Sequence, residues 1–150
     1  YAGAMATVNA DTWATELGVL NPSRPRMITN LSQKVEKGTS GGISVMGTFA
    51  SLAGAALIGI FAGLFTPSGS FLPIFAIITL AGLLGALFDS YLGATVQAIY
   101  YCPSCEKETE RQPNHLCGTE TQYKRGFNWL TNDWVNFACA AAGVLVALIF

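Results

Sequence analysis

The sequence predicts an all-α fold, a polytopic bundle whose helices cross a membrane several times. Its 150 residues are 51% hydrophobic and only 11% charged, whereas charged residues make up about 25% of an ordinary soluble domain. Three long apolar runs, at about residues 43–65, 71–101 and 134–150, stand between more polar segments. A helix of about 20 apolar residues crosses the roughly 30 Å hydrocarbon core of a bilayer. We therefore expect a single integral membrane domain, residues 1–150, with three transmembrane helices.

Residues 1–18 predict a further helix, partly embedded in the membrane, that carries two carboxylates. At 100° per residue one arc of this helix is polar, and Trp13 and Leu17 lie on the opposite arc. A charged side chain at membrane depth costs roughly 2.5 to 3.5 kcal/mol on insertion scales, so it usually faces a protein interior, a watery cavity or a cation. The alternative is an amphipathic surface helix whose acidic groups simply face water. The polar arc consists of Asp11, Thr12, Thr15 and Glu16.

Residues 19–42 form a Gly-rich basic loop that is a candidate for binding phosphate. The loop holds four Lys or Arg against a single Glu, and its prolines and glycines break any regular pattern. Glycines before a helix let backbone N–H groups approach an oxyanion, and the helix N-terminus adds its dipole. The loop does not match the P-loop sequence, and the alternative is an ordinary turn. The candidate phosphate ligands are Lys34, Lys37, Thr39, Gly41, Gly42 and Ser44.

The second apolar run contains one charged residue, Asp89. It lies between Gly85 and Gly93 on one stripe of the predicted helix, where small residues permit close packing on a neighbour. A lone intramembrane Asp is a functional candidate by default, and the alternative is a structural Asp bonded to backbone. The third run follows Asn132 and Asp133, which are expected at the mouth of its helix.

The basic residues predict how the chain is oriented in the membrane, since they accumulate in short loops on the cytoplasmic side. The loops at 19–42 and 102–133 hold four Lys or Arg each, and the turn at 66–70 holds none. Two crossings separate the basic loops, so we expect both to be cytoplasmic. With a net charge of −1 and its basic residues confined to these loops, the chain has no nucleic-acid footprint.

Carboxylates from three helices can therefore meet in one cytoplasm-facing cavity. Carboxylate and Asn oxygens suit Mg²⁺, which commonly bridges to substrate phosphates. Acidic metal ligands beside an anion-binding loop favour phosphoryl transfer, in which catalysis is mostly positioning and charge neutralisation. We expect Asp11, Asp89 and Asp133 to hold Mg²⁺ as catalytic residues, with Asn9, Thr12, Glu16 and Asn132 beside the substrate.

A second metal site is indicated by the spacing of Cys102-x-x-Cys105 and His115-x-Cys117. Three Cys and one His can close a tetrahedral zinc site, and protein ligands at all four positions would make the zinc structural. Pro103 and Gly118 favour the tight turns that such a site needs. The alternative is a set of reduced thiols in a cytoplasmic loop.

Five blocks of sequence together indicate a family. They are NADTWATELG at 9–18, PRMIT at 25–29, GTSGGIS at 38–44, DSYLGATVQ at 89–97 and NDWVN at 132–136. In this order they resemble the integral-membrane family that includes plant and cyanobacterial phytyl-phosphate kinase and animal transmembrane protein nineteen. The resemblance implies a multi-pass helical protein that phosphorylates an isoprenoid monophosphate to the diphosphate with a nucleoside triphosphate. Family members carry further helices before the first block, so we expect a C-terminal part of a longer protein.

Two alternative functions remain at this stage. One is a transporter or channel in which Asp11, Glu16 and Asp89 form a path for cations or protons, although such a path has no use for the basic Gly-rich loop. The other is a CTP-dependent cytidylyltransferase acting on a phospholipid headgroup. It is suggested by a weaker resemblance of the Asp11-Thr12 block to the acidic motif of dolichol kinases and phosphatidate cytidylyltransferases.

Overall fold

The computed structural model describes residues 1–67 and 70–149, which form four α-helices and six short β-strands. The helices are α1 (Ala2–Gly18), α2 (Val45–Phe65), α3 (Phe71–Thr95) and α4 (Asn132–Ile149). The strands are β1 (Arg26–Met27), β2 (Asn30–Lys34), β3 (Gly42–Ile43), β4 (Ile99–Cys102), β5 (Lys107–Thr109) and β6 (Gln122–Arg125). The helices α2, α3 and α4 are each long and apolar enough to cross a membrane.

The prediction of a mostly helical membrane protein is confirmed, but the all-α class is wrong for the two connecting segments. Each segment folds into an antiparallel three-stranded sheet, with strand orders β2-β1-β3 and β5-β4-β6. The predicted helix at 71–101 ends at Thr95, because Ile99, Tyr100 and Tyr101 belong to β4, which pairs with β5 on one side and β6 on the other. These β-branched and aromatic residues favour strands, and hydropathy alone does not separate a short buried strand from a helix.

Every other predicted helix boundary that falls among the described residues lies within two residues of the observed boundary. The helix expected at 134–150 begins at Asn132, and Phe150 lies outside the described residues. Ser68 and Gly69, in the turn expected at 66–70, also lie outside them.

Small residues bring the four helices into close contact. A Cβ atom at Gly85 of α3 or at Gly143 of α4 would collide with Thr7 of α1. Ala10, Ala55 and Ala86 form a buried cluster between α1, α2 and α3. Many large apolar side chains instead point away from the bundle and are exposed. This distribution is expected in lipid, where close backbone packing rather than burial of large side chains holds helices together.

Replacing Gly85 by Val is expected to destabilise the bundle by about 1 to 3 kcal/mol, because the new side chain must displace Thr7. Thermal unfolding of the detergent-solubilised protein should begin at a lower temperature than in wild type. Leu84→Val is the matched control, since Leu84 is 43% exposed on the outer face of the same helix. Equal thermal stability of the two variants would contradict this packing.

Both sheets lie at the same end of the bundle, where they join at the C-terminal end of α3. The guanidinium of Arg125, from β6, donates hydrogen bonds of 3.1 Å to the carbonyls of Gly93 and Ala94. On another side of this helix end, Ser40 and Gly41 pack so closely that a Cβ at Gly93 would collide with Ser40. At the opposite end of the bundle, Gly3 of α1 meets Gly143 of α4.

Candidate functional site

A cavity of about 570 Å³ lies at the end of the bundle that carries the sheets. Its walls come from all four helices, from the Gly-rich loop and from the end of β5. Ten of the predicted site residues line it: Asp11, Thr12, Glu16, Lys37, Thr39, Gly41, Gly42, Ser44, Asp89 and Asn132. The cavity therefore brings the acidic and the phosphate-binding candidates together.

Two carboxylates form the acidic wall of the cavity. Asp11 and Asp89 come from the adjacent helices α1 and α3, and the charges of Asp11 and Glu110 both act on Asp89. Oxygen Oδ2 of Asp89 is buried and has no hydrogen-bond partner among residues 1–67 and 70–149. Like charges near an unsatisfied buried oxygen are costly unless a cation balances them.

The Gly-rich loop forms another wall of the cavity. Gly38 and Gly41 adopt left-handed backbone angles, with φ of 86° and 84°, and the N–H of Gly42 donates to the carbonyl of Thr39 at 3.0 Å. The ammonium of Lys37 donates to the Val19 carbonyl at 2.8 Å, which holds this cation beside the C-terminal end of α1. The loop is thus folded tightly around its glycines.

The loop leads into the N-terminus of α2, which also faces the cavity. Ser44 is the N-cap of this helix, and its hydroxyl oxygen accepts a 3.0 Å hydrogen bond from the Gly47 N–H. Gly47 and Ser51, one and two turns into the helix, line the cavity with small side chains. The helix dipole therefore adds positive potential on the side where an anion would bind.

Three of the predicted site residues do not line this cavity. Asn9 donates a 2.8 Å hydrogen bond to the Gly54 carbonyl and so ties α1 to α2. Asp133 is exposed, because the helical register turns Asn132 and Asn136 toward the cavity and Asp133 away from it. Lys34 lies on the exposed strand β2 and lines a second cavity.

The second cavity, of about 590 Å³, is open and lies between the two sheets. It shares Lys37, Gly38, Thr39 and Glu108 with the first cavity, so the two spaces meet at the Gly-rich loop. Its lining includes the basic residues Arg24, Lys34, Lys37, Lys107, Lys124 and Arg125 and the acidic residues Glu36, Glu106 and Glu108. The basic residues outnumber the acidic ones there, which favours an anionic occupant.

Several residues of the first cavity were missed by the sequence reasoning. Glu108, Glu110 and Arg111 come from β5 and the residues after it, and Asn136 comes from α4. The spacing of Asn132 and Asn136, four residues apart at a helix start, could have indicated a shared face. No local pattern places Glu110 and Arg111, since the folding of the Cys/His segment determines where they lie.

The four predicted zinc ligands are brought together. One ligand atom from each of Cys102, Cys105, His115 and Cys117 lies within 4.8 Å of all the others. Sγ of Cys117 is 3.6 Å from Sγ of Cys102 and 3.3 Å from Nδ1 of His115. Hydrogen bonds with Thr119 and His115 lower the pKa of the Cys117 thiol to about 5. This Cys/His cluster can bind a metal ion.

Comparison with known proteins identifies relatives along nearly the whole chain. The family described as Integral membrane protein DUF92 matches residues 1–144. Protein PGR of Arabidopsis thaliana is 38% identical over 144 residues, which cover 90% of this chain and 48% of that protein. Protein VTE6, chloroplastic, of the same plant is 28% identical over 152 residues, 99% of this chain and 36% of that protein.

An uncharacterized membrane protein of Methanocaldococcus jannaschii is 40% identical over 94 residues, 63% of this chain and 38% of that protein. The chain thus spans about half the length, or less, of these curated relatives. No solved structure shows a significant match to it.

Proposed function

Because the chain belongs to the DUF92 family of integral membrane proteins, which are embedded in the lipid bilayer, we propose that it is the phosphoryl-transfer part of a membrane kinase. The proposed reaction converts an isoprenoid monophosphate, of the phytyl or polyprenyl type, to the diphosphate with a nucleoside triphosphate. The resemblance of five sequence blocks to the phytyl-phosphate kinase family supports this substrate class. So does the similarity to a chloroplastic relative.

One observation carries the proposal: a single cavity is lined both by carboxylates and by the Gly-rich basic loop that is the candidate for binding phosphate. Asp11 and Asp89 face a space that is also lined by Lys37, Gly41 and Gly42. A path for cations would need the acidic wall only, so the loop and the helix N-terminus would serve no purpose in it. Both walls are needed to hold a phosphate group together with its counter-ion.

The residues of the acidic wall suit Mg²⁺. The unsatisfied Oδ2 of Asp89, the carboxylate of Asp11 and the side-chain oxygen of Asn132 are hard oxygen donors on the same cavity. Bound there, Mg²⁺ would neutralise negative charge on the phosphates. One or two carboxylates are the usual protein contribution to such a site, with substrate phosphates and water completing it.

The chain's own residues would then position the reacting groups. An oxygen of the isoprenoid monophosphate attacks the terminal phosphorus of the nucleotide, and the bond from that phosphorus to the bridging oxygen breaks, releasing the nucleoside diphosphate. The attacking oxygen is already anionic, so no general base is needed. Lys37 and the amide of Gly41 would hold the transferred phosphoryl group in line with it.

The two substrates would reach this site from different sides. The lipid phosphate would enter among the helices, where the small side chains of Gly47 and Ser51 leave room beside Asp89. The nucleotide would enter through the second cavity, whose basic walls favour a polyphosphate. In this proposal both sheets lie on the cytoplasmic side, where nucleoside triphosphates are found.

Lys34→Ala and Lys37→Ala are expected to affect the two substrates differently. Lys34 lines the nucleotide cavity only, so its loss should raise KM for the nucleotide about fivefold and leave KM for the lipid phosphate unchanged. Lys37 lines both cavities, so Lys37→Ala should raise both KM values. Lys37→Arg, which keeps the charge, should recover part of the loss. If Lys37→Ala raised KM for the nucleotide alone, this would contradict the position of Lys37 between the two substrates.

The proposed reaction is tested with the complete protein in membrane vesicles, a panel of isoprenyl monophosphates and γ-labelled nucleoside triphosphates. Label in an isoprenyl diphosphate, lost without Mg²⁺, is the expected result. Transfer of label from α-labelled CTP to a lipid would instead identify a cytidylyltransferase. Ion flux in the same vesicles without product formation would identify a transporter or channel, and either result would exclude the kinase.

A further inference from the structure

We propose that Cys102, Cys105, His115 and Cys117 bind one structural zinc ion, and that this ion fixes the segment carrying Glu110 and Arg111 over the main cavity. The inference does not rest on the proposed kinase activity. It rests on the distances between the four ligand atoms, on the backbone of the two turns that carry them and on the poor packing of the segment around them.

The ligand atoms already have the spacing of a tetrahedral site. With zinc–sulfur bonds of about 2.3 Å, two thiolates in a tetrahedron lie about 3.8 Å apart. The two sulfurs of Cys102 and Cys117 are 3.6 Å apart, and all four ligand atoms lie within 4.8 Å of one another. Four protein ligands leave no open position for water, so the ion would be structural.

Two similar turns present the ligands in pairs. Cys102 ends β4 and Cys105 precedes β5, and the residue after this pair, Glu106, has a left-handed φ of 52°. His115 and Cys117 lie in the second turn, which is followed by Gly118 with φ of 85°. A left-handed conformation is unfavourable for a residue other than glycine, so another interaction must hold Glu106 in it. Coordination of Cys105 by a metal ion supplies that interaction.

A hydrogen-bond network orients the second pair of ligands. The N–H of His115 donates to the Thr119 carbonyl and the N–H of Gly118 donates to the His115 carbonyl, both at 2.9 Å. Oγ1 of Thr119 lies 3.3 Å from Sγ of Cys117. A hydroxyl at this distance stabilises a thiolate, and such outer contacts typically hold metal ligands in place.

Beyond the buried strand β4, the segment that carries the other three ligands has no buried residue of its own. Every residue from 103 to 131 is exposed or half-buried. The sheet is held by short strands and by surface ion pairs such as Lys124 with Glu108 at 3.0 Å, which contribute little. Small segments of this kind usually need a disulfide or a metal ion to stay folded. The four cysteines of the described chain are all free thiols, so a metal ion is the available link.

The cluster is directly connected to the main cavity. Cys105 precedes β5, and Glu110 and Arg111, on the cavity wall, directly follow this strand. Strands β4 and β5 pair Tyr101 with Glu108 and Tyr100 with Thr109. One short β-hairpin therefore connects the Cys/His cluster to the wall of the main cavity. Zinc at its closed end would therefore determine where Glu110 lies relative to Asp11 and Asp89, which line the same cavity.

The test is metal analysis of the complete protein purified without chelator. We expect about one zinc per chain, lost in Cys105→Ser and retained in Cys139→Ser, whose buried sulfur lies in α4 outside the cluster. Exchange with Co²⁺ should give the visible absorption of a tetrahedral thiolate site. Zinc-free protein, or a disulfide between Cys102 and Cys117 in freshly purified protein, would refute the site.

Limited proteolysis tests whether zinc holds the segment that carries Glu110 and Arg111. It uses the wild-type protein, so it does not depend on whether the Cys105→Ser variant accumulates in cells. Stripping zinc from the wild-type protein should speed tryptic cleavage after Lys107 and Arg111 at least about tenfold. Cleavage after Lys34 and Lys37 should change little, because the segment that carries these two residues holds none of the four metal ligands. Complete zinc removal without faster cleavage after Lys107 and Arg111 would refute the role in holding the hairpin.

Discussion

Replacing Asp89 by Asn is expected to lower kcat for the proposed phosphoryl transfer by about 10²- to 10³-fold while the protein remains folded and inserted. Asn has the same shape as Asp, so the packing of α3 is kept. The substitution removes the negative charge from a buried oxygen that has no protein partner in the described part of the chain. Activity in membrane vesicles at matched expression is the measurement, and Asp11→Asn should behave similarly.

Asp133→Asn is the matched control for this prediction. Asp133 lies 44 residues after Asp89 and carries the same charge, but it is exposed and does not line the cavity. Asp133 lies in the first turn of α4, where an acidic residue favours the helix dipole by about 0.3 to 1 kcal/mol. We therefore expect near-normal turnover in Asp133→Asn. Full activity in Asp89→Asn would remove Asp89 from the reaction.

Gly41→Ala is expected to reduce activity by at least about 100-fold, the largest effect for any single methyl group in the loop. Gly41 has a left-handed φ of 84°, and a Cβ there would lie 2.5 Å from Cβ and 2.6 Å from Cα of Ala94 in α3. The loop must therefore move away from α3 and from the acidic wall. A displacement of about 1 Å in a positioning residue is enough to cost about 100-fold in rate.

Gly38→Ala is the control that separates the steric clash with Ala94 from the strain of a left-handed backbone. Gly38 has a similar φ of 86°, but nothing lies within 4 Å of its Cβ position among the described residues. The strain alone should lower activity no more than about tenfold. Combining Gly41→Ala with Ala94→Gly should restore little, because the Ala94 backbone nitrogen is also only 2.7 Å away. Equal effects of the two single variants would show that the loop does not depend on contact with α3.

The parts of the fold that hydropathy describes could be predicted from the sequence. The three membrane-spanning helices follow from apolar composition within a window, and this is a local property. Asp89 and the Gly-rich loop could be identified for the same reason, since each interrupts a local pattern. That they line one cavity required only the assumption that both basic loops lie on one side of the membrane.

The sheets could not be predicted, because they depend on pairing between distant residues. Tyr100 continues the apolar run of α3 and becomes a strand residue only through its partners Thr109 and Tyr123. Asp133 illustrates a second limit, since one residue of helical register decides whether Asp133 or Asn132 faces the cavity. Glu110 reaches the cavity through the hairpin, and nothing near it in the sequence indicates that contact.

The double attachment of the α3 end has a consequence for membranes of different thickness. This helix has 25 residues, and at about 1.5 Å per residue it is longer than the roughly 30 Å hydrocarbon core, so it must tilt or protrude. Arg125 and Gly41 hold its last turns from two sides, at Gly93 and Ala94. Adjustment to a thinner or thicker bilayer therefore falls on the distant end of the helix. Asp89, one turn before Gly93, keeps its distance from the loops in either membrane.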